Sequence, residues 1–183
     1  MIHAPEFYRN FDAGFAEASP PASVARAKGA PSRYTARTPA GPVRFWFRVN
    51  SKASAIPNQP GEFWPVVSDA DDALLSWYQF ASAGSVEAIQ AQQQRVYDKV
   101  AAQHSFEHEV WQLTRDAGLP ILLHHVRTPP EPRFPHHALH YLDAEDAREW
   151  GRLLGGQIRD WLEACAASPE TLEQHMWRVH WAE

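Results

Sequence analysis

Seven consecutive residues, Val43-Arg44-Phe45-Trp46-Phe47-Arg48-Val49, alternate in character along the chain. Successive side chains of a strand point to opposite faces, whereas a helix groups residues three and four apart, so a period of two suits a strand with one face on a core. One face then carries Val43, Phe45, Phe47 and Val49, and the other carries Arg44, Trp46 and Arg48. Tyr34–Thr38 before it and Phe63–Val67 after it read as neighbouring strands, separated by the turn-forming Thr38-Pro39-Ala40-Gly41-Pro42 and by the Pro57–Gly61 loop. A three-stranded antiparallel meander is expected. Pro65 lacks a ladder donor, so the third strand should be an edge or bulge there.

Around this meander the period changes to that of helices. Phe7, Tyr8, Phe11 and Phe15 form an aromatic stripe that predicts a helix over residues 4–18, ended by Ser19-Pro20-Pro21. Ser68 and Asp69, with Asp71 and Asp72 in the first turn, look like the N-terminal cap of a helix through Leu74, Leu75, Trp77 and Phe80, stopped by Gly84. From Ser85 a longer pattern places Val86, Ile89, Val96, Tyr97 and Val100 inward and the glutamines Gln90, Gln92, Gln93 and Gln94 elsewhere, running on towards Gly118. Leu119–Val126 reads as a buried strand. Asp143 caps a helix with Trp150, Leu153, Leu154, Ile158, Trp161, Leu162 and Cys165 on its apolar face, and Ser168-Pro169 opens a last one. The expected architecture is α+β within one domain spanning residues 1–183: a small antiparallel sheet of three to four strands packed against four to five helices.

Composition narrows the function classes. The chain is 183 residues long and carries 17 basic and 22 acidic residues, a net charge of -5, which disfavours nucleic-acid binding through a whole-protein positive field. The charge is uneven: residues 1–52 hold eight basic side chains against three acidic ones, and the remainder is strongly acidic. A single Cys leaves no internal disulfide framework and no Cys-based zinc cluster, as expected of a reduced, cytoplasmic protein. No secretory signal is expected from the N-terminal residues. Leu119–Leu123 is far below the roughly 20 residues needed to cross a bilayer, so no membrane association is expected.

The sharpest short motif is His104-Ser105-Phe106-Glu107-His108, an H-x-x-E-H pattern. On a helix His104 and His108 lie one turn apart and suit one metal ion, with Glu107 placed as a base for a metal-bound water. These five residues resemble the signature of the inverzincin metallopeptidases, which implies zinc as cofactor, but the third ligand that chemistry requires has no evident source. A second group comprises His124, His125, His136, His137 and His140, of which His136 or His137 would share a helical turn with His140. Motifs of P-loop, dinucleotide-binding and serine-hydrolase types are absent from the sequence.

Arg44, Trp46 and Arg48 form the principal binding candidate, because Trp and Arg are enriched at the energetic centres of interfaces. The expectation is a cytoplasmic, non-enzymatic accessory or binding protein of immunity or adaptor type, without a cofactor, that contacts a protein partner and admits self-association into a homo-oligomer. The competing reading is a small metal-dependent hydrolase built on His104, Glu107 and His108.

Overall fold

The alternation at residues 43–49 is realised as strand β3 (Gly41–Val49), with Val43, Phe45 and Phe47 buried. A computed structural model describes residues 2–19, 24–38, 41–50, 60–68, 74–75, 83–103 and 139–167. Strand β2 (Arg33–Thr38) pairs antiparallel with one side of β3 and β4 (Gly61–Ser68) with the other, which is the expected meander. Pro65 is accommodated by register. Phe47 donates its N–H to the Ser32 carbonyl at 3.0 Å on the β2 side, so its cross-strand partner Pro65 faces away from β3, where no ladder bond is lost. On that outer side β6 (Leu139–Tyr141) pairs with Gly61–Phe63 and β5 (Leu74–Leu75) with Val67–Ser68, leaving Pro65 between them.

The expected counts of elements are corrected. Among the described residues there are three helices, and the sheet follows a five-strand path β1-β2-β3-β4-β5, with β6 also on β4. Strand β1 (Val24–Arg26) also pairs with β2, a strand outside the expected three-stranded meander. Ser68 is not a helix cap but the last residue of β4, and Leu74 and Leu75 return beside it as β5 instead of starting a helix. Pairing along the edge of β4 outweighs the local capping pattern there. Gly84 does not stop a helix either: it lies in the first turn of α2 (Ala83–Gln103). The segments that carried the expected Leu119–Val126 strand and the Ser168-Pro169 helix lie outside the described residues.

Helices α1 (Ala4–Ala18) and α3 (Ala144–Ala167) cover one sheet face. Phe7, Phe11 and Phe15 are each fully buried. Phe11 lies 4.4 Å from Phe47 between ring centroids, Phe7 4.9 Å from Phe63, and Phe15 3.9 Å from Tyr34. From α3, Trp150 meets Phe63 and Trp161 meets Phe45 edge-on. The two helices touch through backbone. A Cβ added at Gly14 would stand 2.0 Å from the Arg148 carbonyl oxygen, and one at Gly151 would stand 2.2 Å from that of Phe11, so only glycine permits this approach.

Asp143 starts α3 as expected. Its Oδ1 accepts the Asp146 N–H at 2.9 Å, while Asp146 Oδ2 accepts the Leu142 N–H at 2.8 Å, a reciprocal cap. Lys99 of α2 reaches the same turn, 2.7 Å from Asp146 and 3.1 Å from Glu145. Burial draws its ammonium down, but the hydrogen bonds to Asp146 and Glu145 outweigh this and leave it above the ordinary lysine value. Among the described residues, no helix is long and apolar enough to cross a membrane.

Candidate functional site

Arg44, Trp46 and Arg48 share the sheet face opposite α1 and α3, but the structure divides them. Arg44 stands opposite Ser68 and is half-buried, on a part of the face where Val66 and Ser68 are themselves buried. Trp46 and Arg48 instead line a groove of about 580 Å³ with Arg33, Tyr8 and Pro31. Arg33 is the residue the sequence reading lacked. It opens β2 directly opposite Trp46, and Tyr34 and Ala36 are buried on the other face. The alternation Arg33, Thr35, Arg37 carried this signal; a strand begun at Tyr34 cuts Arg33 off.

Arg33 and Arg48 are exposed, Trp46 is half-buried, and neither arginine forms an ion pair among the described residues. Two guanidinium groups therefore flank an indole on a hydrogen-bonded sheet, a surface suited to carboxylates or other planar anions.

The opposite wall of the groove is held by Asp12. Its side chain is 10% exposed and accepts hydrogen bonds from Ser32 Oγ at 2.7 Å and Tyr34 Oη at 2.5 Å, and Arg26 pairs with it at 2.5 Å. Burial, reinforced by the Asp12 carboxylate, pushes the Tyr34 phenol well above its ordinary value, so it stays a donor. Ser32 adopts a left-handed φ of 48° within the turn that these bonds tie to α1. The Asp12 oxygens are committed, which makes the carboxylate a structural pin rather than a free base. A second groove, of about 730 Å³, lies on the other side of Tyr8 and Pro31, and its Arg26 is already neutralised by Asp12. Arg9, which also lines that second groove, pairs with Glu6 at 3.9 Å, so of the two grooves only the Arg33–Arg48 groove carries arginines without an ion pair among the described residues.

A polar cluster marks the β6 edge. His140 does not share a helical turn with His136 or His137 as expected; it lies on β6, opposite Glu62. Gln93, expected on the outer side of α2, is buried, as is Gln92. The Gln93 Oε1 accepts the His140 backbone N–H at 3.0 Å, which leaves its Nε2 to donate to the His140 ring Nδ1 at 2.8 Å. That places the ring proton on Nε2, facing Glu62 Oε1 at 3.6 Å. The His140 hydrogen bond, with help from Asn50 and against burial, holds the Glu62 carboxyl below the usual carboxylate range. These bonds join α2, β6 and β4, and none of the described side chains they link is a Ser, Thr or Cys.

The metal candidates His104, Glu107 and His108, and with them His124, His125, His136 and His137, lie outside the described residues. Among the described residues no group of three or more His, Cys, Asp or Glu side chains is placed to hold a metal ion. Comparison with protein-family models, curated proteins and solved structures found no match to this chain.

Proposed function

We propose that this chain is a non-enzymatic accessory or adaptor protein of the cytoplasm that binds a protein partner through the groove formed by Arg33, Trp46 and Arg48. The observation that carries this reading is a pair of exposed arginines next to Trp46, Arg33 across the ladder and Arg48 along β3, with no ion pair among the described residues, on a sheet whose other face is locked into an aromatic core. Arginine and tryptophan dominate binding energy where they meet a partner, and a rigid support lowers the ordering cost of binding. Arg44 falls outside the groove and is not assigned a contact in it.

The test is quantitative capture from the native cell with the parent, Arg33→Glu/Arg48→Glu, Trp46→Ala and a distant control, Arg95→Glu. A partner held by the parent and by the control, but lost by both groove variants at unchanged thermal stability, is the expected result. Retention by the groove variants refutes the proposal.

A further inference from the structure

We infer that the groove binds an extended acidic segment of a partner protein, with carboxylates on alternate residues that pair with Arg33 and Arg48. The inference rests on the binding role proposed above and adds the chemistry and spacing of what is bound. Arg33 faces Trp46 across the β2–β3 ladder, and Arg48 lies two residues further along β3. Arg33 and Arg48 are therefore diagonal neighbours on one sheet face, about 7–8 Å apart at the backbone. In an extended segment side chains at i and i+2 point the same way and stand about 6.6–6.8 Å apart, which matches this diagonal. Adjacent carboxylates on such a segment point to opposite sides, so only one of them reaches an arginine.

Charge and shape choose the occupant. Each guanidinium offers a planar fork to a carboxylate, and no carboxylate of the described residues occupies either one. Trp46 lies beside this diagonal, adjacent to Arg33 across the ladder and to Arg48 along β3, and offers an apolar surface to the segment's backbone and intervening residue. The neighbouring groove adds no third unpaired cation among the described residues, because Asp12 pairs with its Arg26 and Glu6 with its Arg9. The recognised element is accordingly short: acidic, any residue, acidic.

Fluorescence anisotropy with labelled Gly/Ser peptides tests the inference on the full chain. The peptides carry Glu residues separated by one position, adjacent Glu residues, or Gln in place of Glu. The expected result is that the alternating peptide binds at least about tenfold more tightly than the adjacent-Glu peptide, and that Arg33→Gln and Arg48→Gln each cost about tenfold while leaving the thermal midpoint unchanged. Added salt should weaken the complex. Equal binding of both acidic peptides overturns the spacing while leaving the partner-binding role standing. Absence of peptide binding, with groove-dependent capture of a cellular partner retained, overturns the acidic segment alone. Loss of both overturns the binding role as well. Tighter, Arg33- and Arg48-dependent binding of a single-stranded oligothymidylate overturns the inference in favour of a nucleic acid.

Discussion

Replacing Gly151 by Ala adds one methyl group and should unsettle the fold, whereas the same change five residues along the same helix should strengthen it. At Gly151 the new Cβ would lie 2.2 Å from the Phe11 carbonyl oxygen and 2.7 Å from the Phe15 nitrogen, so ordinary contact at 3.4 Å requires the helices to separate by roughly 1.2 Å. Both obstacles are backbone atoms, and no side-chain rotation relieves them. Overpacking of this kind costs about 3 kcal/mol, the upper part of the usual range, against a gain of about 1 kcal/mol in helix propensity, a net loss of about 2 kcal/mol. At Gly156 no atom of the described residues lies within 4 Å of an added Cβ, so Gly156→Ala retains the propensity gain of about 0.5–1 kcal/mol. For a chain of this length those energies correspond to a fall of about 4–8 °C and a rise of about 1–4 °C in Tm. Thermal unfolding followed by far-ultraviolet circular dichroism reads both. A Gly151→Ala protein as stable as the parent would refute the claim that α1 and α3 touch through backbone.

Two further outcomes follow from buried polar groups. The Tyr141 hydroxyl is buried with no hydrogen-bond partner among the described residues, and burial pushes its phenol up to about 12; Tyr141→Phe should therefore stabilise the chain by about 1 kcal/mol in urea unfolding, and a loss of stability would show that the hydroxyl is satisfied. The folded-state Glu62 carboxyl is held below its ordinary value of 4.5, so its contribution is fully present above that pH and is lost as pH falls through the folded-state value. Urea midpoints measured from about pH 6 to about pH 3 should fall less steeply for Glu62→Gln than for the parent, and parallel slopes would remove Glu62 from the acid response.

What could be read from the sequence was what repeats locally. Phe7, Phe11 and Phe15 recur at helical spacing and are buried, Val43–Val49 alternates and forms β3, and Asp143 sits one residue before a helix whose apolar stripe faces the core. Strands β1, β5 and β6 contain three, two and three residues, too few to display a period, and exist because a longer neighbour offers them a ladder. Gln93 was misplaced because its polarity suggests the surface, while the groups that satisfy it sit on a strand 47 residues away. Half of the groove was legible for the same reason: Trp46 and Arg48 belong to an obvious alternation, but Arg33 joins them only through the β2–β3 register.

The glycine contact between α1 and α3 also sets an order of events during synthesis. Helix α1 leaves the ribosome before α3, the helix that packs against it, and every described strand of the sheet is made in between. Throughout that interval the faces of Phe7, Phe11 and Phe15 lack the partner that completes their enclosure, so the nascent chain presents an adhesive aromatic surface. Native docking must then close a loop that contains the whole sheet, a late and topologically slow step. Yield of folded protein should consequently depend more on chaperone supply than the stability of the finished fold would suggest.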